Sequence, residues 1–154
     1  YSNLAFATQT TLSVDDTAEI ISVLQFRFPD ITGPRGEDIC YATTNRQKAV
    51  KDIASNVDLM LVIGASNSSN SQRLVEVAKQ AGAVDAMLIA NKDAIAWERA
   101  DKAGHIGLSA GASAPENLVQ DVIQALANRY DLTVTEQGHI REKMNFKLPS
   151  ILTQ

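Results

Sequence analysis

The fold is decided by Asp58-Leu59-Met60-Leu61-Val62-Ile63-Gly64 and by the polar run that follows it, Ala65-Ser66-Asn67-Ser68-Ser69-Asn70-Ser71. The first stretch is almost entirely apolar, which is typical of a strand buried on both faces of a parallel sheet. The second carries hydroxyl and amide side chains just before a helical pattern. This order predicts an open parallel α/β fold, in which ligands bind beyond the carboxyl ends of the strands.

The same alternation of strands and helices extends over the rest of the chain. Besides residues 58–64, strands are predicted at residues 3–8, 86–90 and 105–109. Helices are predicted at residues 15–28, from residue 44 onward, and at residues 71–82, 92–100 and 116–128, the first capped by Ser13 and the last opened by Pro115. Because helices join the strands, right-handed crossovers and a parallel sheet flanked by helices are expected. The predicted fold class is α/β.

Turn-forming residues mark a domain boundary. They interrupt the periodic pattern at four positions, Pro29, Gly33, Pro34 and Gly36. We therefore predict a first unit over residues 1–37, a compact α/β domain over residues 38–130 and a C-terminal arm over residues 131–154. The arm shows no core of its own.

The composition excludes several classes of protein. The chain has 154 residues, 45% of them hydrophobic and 21% charged, which suffices for one ordinary core. A net charge of -4 argues against a nucleic-acid surface, and no apolar run is long enough to cross a bilayer. A single cysteine rules out an internal disulfide framework. Cytosol or an organelle stroma is the expected compartment.

Three polar clusters follow predicted strands and precede predicted helices, at residues 8–11, 64–71 and 109–115. Helix starts offer unpaired backbone N–H groups and a positive dipole end, so they suit a phosphate or diphosphate. Each cluster alone is more often an ordinary helix cap or turn than a ligand site. Three clusters at equivalent strand ends shift that balance towards a ligand site. The second is the most specific, because Ser68, Ser69, Asn70 and Ser71 give four adjacent donors where one cap would do. Only Arg73 follows it, so binding through neutral hydrogen bonds and dipoles is expected.

Cys40 has two interpretations. A lone cysteine is most often a small buried hydrophobic residue, yet this one lies in a loop before the helix that is predicted to open at Thr43 or Thr44. A helix start favours a thiolate, which could be a nucleophile or a metal ligand. No histidine or second cysteine is near it in sequence, so the chain cannot complete a metal site alone. His105 and His139 are predicted to be surface or edge residues.

Four long motifs carry a family resemblance. They are Thr8-Gln9-Thr10-Thr11-Leu12-Ser13, Asp38-Ile39-Cys40-Tyr41-Ala42-Thr43-Thr44-Asn45-Arg46-Gln47, Asn67-Ser68-Ser69-Asn70-Ser71 with Arg73-Leu74, and Ala110-Gly111-Ala112-Ser113-Ala114-Pro115. In order and spacing they resemble the 4-hydroxy-3-methylbut-2-enyl diphosphate reductase family. The resemblance extends to the tail, where Phe146-Lys147-Leu148-Pro149 is similar to the closing segment of the family.

The resemblance implies an oxidoreductase of the non-mevalonate pathway of isoprenoid biosynthesis. Such a reductase removes a hydroxyl group from an allylic diphosphate and yields isopentenyl and dimethylallyl diphosphate. The implied fold is a trefoil-like arrangement of three similar α/β domains. One cysteine from each domain holds a 4Fe–4S cluster, and Cys40 matches the third of these ligands. Ferredoxin or flavodoxin is the implied electron donor, with no nucleic acid and no membrane as partners.

Further site residues follow from the motif positions. Ser68, Ser69, Asn70 and Ser113 resemble the residues of the family that bind the diphosphate. Thr10 resembles the threonine that contacts the substrate near its hydroxyl group and helps to deliver a proton. The other cluster cysteines, the substrate-binding histidines and the proton-donating glutamate of the family would precede Tyr1. We therefore expect this chain to correspond to the C-terminal half, with residues 1–37 as the end of the middle domain, residues 38–130 as the third domain and residues 131–154 as the arm. The chain alone is expected to hold no stable cluster and to be inactive.

Two other classes remain as alternatives. A stand-alone phosphate-binding or regulatory module would keep the three polar clusters without a need for Cys40. A nucleotide-binding oxidoreductase of the doubly wound type would want Gly-x-Gly-x-x-Gly after its first strand. Gly64-Ala65-Ser66-Asn67 does not provide that turn.

Overall fold

The computed structural model describes residues 3–34 and 38–137. In these ranges the helices and strands alternate as in an α/β protein. They are α1 (Val14–Arg27), α2 (Tyr41–Ala54), β1 (Leu59–Ile63), α3 (Ser69–Gln80), β2 (Asp85–Ile89), α4 (Trp97–Ala100), β3 (Ile106–Ala110) and α5 (Glu116–Ala127), with a 3₁₀ turn at Lys92–Ala94. The predicted arm beyond residue 137, with His139 and Phe146, lies outside the described residues.

The three strands form one parallel sheet in the order β2-β1-β3. β1 is central, and all five of its residues are buried. Its last residue, Ile63, is paired with Ile89 at the end of β2 and with Ala110 at the end of β3. The carboxyl ends of the strands therefore lie level along one edge. The predicted parallel α/β sheet is confirmed.

Alternate side chains of β1 supply two cores, one on each face of the sheet. On one face, Met60 and Val62 pack in a cluster with residues of α2 and α3 such as Val50 and Leu74. On the other face, Leu61 packs in a cluster with residues that include Val122 and Leu126 of α5. Burial of each such side chain contributes about 2 kcal/mol. These two cores hold the helix starts of α3 and α5 at the carboxyl edge.

The prediction of one continuous helix over residues 92–100 is wrong. The structure has a 3₁₀ turn capped by Asn91, whose side chain accepts a hydrogen bond from the backbone N–H of Asp93, and then the short α4. Between them Ile95 has an extended backbone and is only 5% exposed. Extended backbone at this residue turns its side chain into the core, so burial of Ile95 overrides the helical pattern.

The strand predicted at residues 3–8 is reduced to one isolated parallel bridge between Ala5 and Thr32. Phe6 donates a backbone hydrogen bond to the Thr32 carbonyl, and Thr32 donates to the Leu4 carbonyl, each at 3.0 Å. Among the described residues no second strand extends this pairing, and a strand needs a ladder of such bonds.

The starts of α1, α2, α3 and α5 lie within three residues of the predicted helix starts. Ser13 caps α1 as predicted, because its hydroxyl accepts a hydrogen bond from the Asp16 N–H at 3.2 Å. α2 begins at Tyr41, earlier than predicted, so Cys40 is its N-cap residue. Pro115 is the N-cap of α5 and lies just outside the first turn. Among the described helices, none has both the length and the apolar character to span a bilayer.

Candidate anion-binding edge

Two of the polar clusters form neighbouring loops at the carboxyl edge of the sheet. Residues 64–68 lead from β1 into α3, and residues 111–115 lead from β3 into α5. Gly111 donates a backbone hydrogen bond to the Ile63 carbonyl at 2.8 Å, and Gly64 donates one to the Ile89 carbonyl at 2.9 Å. The two loops therefore continue the pairing of the strands and lie side by side.

Ser71 holds these two loops together. It is fully buried, and its hydroxyl lies 3.0 Å from the hydroxyl of Ser68, which caps α3. The same hydroxyl occupies the space that a Cβ atom would need at Gly64 or at Gly111. Close approach of the loops to α3 thus requires glycine at both positions.

Asn70 has a buried amide without a partner. Its side chain lies in the first turn of α3 and is 8% exposed, yet neither its Nδ2 nor its Oδ1 atom makes a hydrogen bond to the described residues. Leaving a buried polar group unsatisfied costs about 1–3 kcal/mol. A polar ligand at the start of α3 would satisfy this amide. Ser68 is half-buried beside it, and Ser69 is exposed.

Ser113 lies in the second of these loops and is exposed. It comes two residues after Gly111, the residue in contact with Ser71. The structure therefore brings the loop of Ser113 next to the helix start that carries Ser68, Ser69 and Asn70. Sequence reasoning could expect this neighbourhood, because level ends of parallel strands place their loops along one edge.

Arg46 lies beside the candidate site, although the sequence did not predict it as a site residue. It projects from α2, and its Nη1 atom donates a hydrogen bond to the Ala110 carbonyl at 3.1 Å. Its Nε atom is buried without a partner among the described residues. A positive charge is therefore present at the end of β3. In the sequence Arg46 is far from both loops, and only the packing of α2 on the sheet brings it there.

Arg73 adds little free charge to the edge. Its guanidinium forms an ion pair with Glu76 at 2.5 Å and lies 3.7 Å from the carboxylate of Asp16. These partners neutralise it locally. The hydroxyl and amide groups of the loops, and the helix starts, are therefore the main candidate anion-binding groups at this edge.

The first polar cluster joins the second across a polar cleft of 210 Å³. One wall is residues 9–12, and the other is the first two turns of α3. The lining residues are Gln9, Thr11, Leu12, Ser69, Gln72, Arg73 and Glu76. Ser69 thus borders both the cleft and the start of α3. All three predicted clusters lie on the same side of the molecule.

Cys40 and Thr10 are brought together by a backbone hydrogen bond. The Cys40 N–H donates to the Thr10 carbonyl at 3.1 Å, and both residues are exposed. The Cys40 thiol is free. Its place at the N-cap of a 14-residue helix fixes the backbone from which the thiol projects. Of the two interpretations of this cysteine, burial as a small hydrophobic residue is wrong.

The described residues offer no complete metal site. Among them, no group of three or more histidine, cysteine or acidic side chains could hold a metal ion. Cys40 can supply one thiolate ligand, so further ligands would have to come from elsewhere. His105 lies at the opposite edge of the sheet, just before β3, where it is exposed and its Nδ1 atom is 3.9 Å from Asp58.

Fold and polar loops together define an α/β protein with a candidate ligand site at the carboxyl edge of a parallel sheet. Comparison with known proteins gives the family. The family model described as LytB protein matches residues 1–127. This chain belongs to that family, and the resemblance stated from its motifs is confirmed.

Curated relatives and solved structures agree with this assignment. The 4-hydroxy-3-methylbut-2-enyl diphosphate reductase of Hyphomonas neptunium is 59% identical over 152 residues, which are 99% of this chain and 48% of that protein. That of Gluconobacter oxydans is 56% identical and matches 97% of this chain and 44% of its own length. The solved E-1-hydroxy-2-methyl-but-2-enyl-4-diphosphate reductase from Plasmodium falciparum superimposes with a TM-score of 0.89 at 34% identity, over 98% of this chain and 48% of that one. The chain spans about half the length of the relatives it matches.

Proposed function

We propose that this chain is part of a 4-hydroxy-3-methylbut-2-enyl diphosphate reductase. It would bind the diphosphate of the substrate and supply the third cysteine ligand of the iron–sulfur cluster. The names of its relatives and the high identity over nearly its whole length support this activity. The substrate would be the allylic diphosphate, and the products isopentenyl and dimethylallyl diphosphate. The relatives are about twice as long as the matched region, and the other domains of the three-domain arrangement would be formed by the half that this chain does not span.

The diphosphate would bind at the carboxyl edge of the sheet. Asn70 is the observation that carries this proposal, because its buried amide has no partner among the described residues. Ser68 and Ser69 adjoin it at the start of α3, and Ser113 comes from the neighbouring loop. Their hydroxyl groups and the free N–H groups of the helix starts would hold the phosphate oxygens.

Cys40 would be one thiolate ligand of a 4Fe–4S cluster. Its free and exposed thiol at a helix N-terminus fits that role. When bound, the cluster would supply electrons and a Lewis-acidic iron for removal of the substrate hydroxyl group. Ferredoxin or flavodoxin would be the electron source, in bacterial cytoplasm or plastid stroma.

Thr10 would contact the substrate near its hydroxyl group and help to deliver a proton there. Its backbone carbonyl accepts a hydrogen bond from the Cys40 N–H, so the two residues are neighbours. A threonine hydroxyl both donates and accepts hydrogen bonds, which suits a proton relay.

Diphosphate binding to this chain tests the site. We expect Asn70→Ala to weaken the binding of inorganic diphosphate, measured by titration calorimetry, by tenfold or more. Loss of a hydrogen bond to a charged group costs about 1.5–3 kcal/mol, and 1.4 kcal/mol is tenfold. Asn56→Ala is the matched control, because Asn56 is exposed at the opposite edge of the sheet. Equal affinity of both variants and the parent chain would contradict the proposed site.

Cys40→Ser separates the reductase from a stand-alone phosphate-binding module. In a protein of the relatives' full length, this substitution should abolish both the cluster absorbance after anaerobic reconstitution and the reductase activity. Diphosphate binding at the strand ends should persist. Retention of the cluster and of activity in Cys40→Ser would overturn the proposed role of Cys40. The stand-alone module would be favoured if the native protein has the length of this chain and binds diphosphate.

A further inference from the structure

Gln47 is a fully buried polar residue that the site described so far does not use. It lies in the middle of α2 with 1% exposure. Its Nε2 atom donates a hydrogen bond to the Leu12 carbonyl at 2.8 Å, and its Oε1 atom accepts one from the Val14 N–H at 3.0 Å. A single side-chain amide thus bonds to both sides of the turn that leads into α1.

These two bonds satisfy groups that the backbone itself leaves open. Val14 is the first residue of α1, and the first N–H groups of a helix have no partner within it. Gln47 therefore caps the start of α1 from a neighbouring helix. Because both amide atoms are used in a dry environment, the position of the turn relative to α2 is strongly determined.

The contact belongs to a series that aligns residues 8–14 with residues 38–47. At one end the carboxylate of Asp38 accepts a hydrogen bond from the Thr8 N–H at 2.7 Å. In the middle the Cys40 N–H donates to the Thr10 carbonyl at 3.1 Å. At the other end is Gln47, about two turns along α2 from Cys40. The loop of Thr10 is thus held at both ends against the helix that presents Cys40.

We propose that Gln47 is a positioning residue, whose amide fixes the loop of Thr10 against the start of α2 and so sets the geometry between Thr10 and Cys40. This inference rests on the proposed function for its chemical meaning, since Thr10 and Cys40 would act on the same substrate and cluster. The two hydrogen bonds of Gln47 go to Leu12 and Val14, so it would act on Thr10 and Cys40 only through the position of the loop.

Gln47→Glu makes the proposal testable through pH. A protonated glutamic acid has the same shape as glutamine, donates to the Leu12 carbonyl and accepts from the Val14 N–H. The carboxylate cannot donate, and it repels that carbonyl. Burial raises the pKa of such a glutamic acid above its usual value of about 4.3. The variant should therefore hold the loop at about pH 5 and release it at about pH 8.

The measurement is hydrogen exchange of the Cys40 amide in the 154-residue chain, corrected for the intrinsic effect of pH. In Gln47→Glu this amide should exchange tenfold or more faster at pH 8 than at pH 5, while the amides of β1 stay protected. Lys51→Gln is the matched control, because Lys51 also joins α2 to the start of α1, through an exposed ion pair with Asp15. It should behave as the parent chain at both pH values.

Two results would overturn the proposal. Continued protection of the Cys40 amide at pH 8 would mean that the loop keeps its place without Gln47. Loss of protection in β1 together with Cys40 would mean that Gln47 supports the whole fold and not this geometry. The experiment requires neither cluster nor substrate, so its outcome is separate from that of the proposed function.

Discussion

Asn70 and Ser71 are successive residues of α3, and their polar groups differ in hydrogen bonding. The hydroxyl of Ser71 is bonded to that of Ser68 and fills the space between the two loops. The amide of Asn70 is almost as deeply buried and has no partner among the described residues. We infer that Ser71 stabilises the edge of the sheet and that Asn70 is available to a ligand.

The close contact of Ser71 with the two glycines gives a prediction about packing. Gly111→Ala should lower the free energy of unfolding by about 1–3 kcal/mol, because the new methyl group would overlap the Ser71 hydroxyl. Ser71→Ala in the same chain should relieve this, since the Ser71 Cβ lies 3.4 Å from the added atom. Denaturant unfolding of the single and double variants measures the coupling.

Gly64→Ala is the control for this cycle. A Cβ atom at residue 64 would lie only 2.5 Å from the Cβ of Ser71, so removal of the Ser71 hydroxyl cannot make room for it. Ser71→Ala should therefore rescue Gly111→Ala and fail to rescue Gly64→Ala. Equal rescue at both positions would show that the loops shift freely, against the close approach described.

At the scale of elements, the ends of α4 and α5 are joined by a charged cluster. The carboxylate of Asp101 accepts hydrogen bonds from Arg129 Nε at 2.8 Å, from Arg129 Nη2 at 2.7 Å and from the Tyr130 hydroxyl at 2.6 Å. The Arg129 guanidinium also lies 5.1 Å from the centre of the Trp97 ring. Hydrogen bonds from Arg129 and then from Tyr130 lower the pKa of Asp101 to about 2.

This lowered pKa predicts a dependence of stability on pH. A carboxyl group with a folded-state pKa below its unfolded value of about 3.9 stabilises the fold above that value. The stabilisation is lost as the pH falls from about 4 towards 2. Asp101→Asn should therefore lower Tm at pH 7, with a difference from the parent chain that shrinks below pH 4. Scanning calorimetry at several pH values measures this.

Asp52→Asn is the control, because Asp52 is an exposed residue in the last turn of α2. It should leave Tm nearly unchanged at neutral pH. A constant difference for Asp101→Asn from pH 7 to pH 2 would contradict an ionised Asp101 as the source of stability.

The elements differ in how far the sequence predicted them. β1 follows from its own residues, since an unbroken apolar run such as Leu59–Ile63 has few alternatives. The break at Ile95 does not, because the pattern around it suits a helix and only the core on that face of the sheet decides otherwise. The predicted residues of the second and third polar clusters lie near one another for a reason visible in the sequence, namely the position of their loops at the ends of β1 and β3. Gln47 and Arg46 act across the fold, so no local signal marks them.

At the scale of the whole molecule, α1 presents an apolar surface to solvent. Ile20, Val23 and Phe26 are spaced three residues apart and are 60%, 61% and 91% exposed. An apolar cleft of 330 Å³ lies beside the same helix, between α1 and the residues of the isolated bridge. Exposed apolar surface of this kind favours self-association.

We therefore predict that Val23→Ser with Phe26→Ser reduces self-association of the chain in sedimentation experiments. Diphosphate binding should stay unchanged, because Val23 and Phe26 are not residues of the proposed site. Val84→Ser is the control, because Val84 is 81% exposed but isolated in the turn before β2. Equal self-association of the double variant and the parent chain would contradict this role of the α1 surface.

The strand order β2-β1-β3 also has a consequence for folding kinetics. β2 follows β1 after one helix, whereas β3 pairs with β1 only after the chain has passed β2, so the second pairing closes a longer loop and costs more entropy. We expect β1 and β2 to pair early and β3 to pair late. Pulse-labelled hydrogen exchange during refolding measures when the Gly111 amide, which bonds to the Ile63 carbonyl, becomes protected. Because Gly111 and Ser71 meet only after β3 docks, a nascent chain would complete the proposed anion site late in folding.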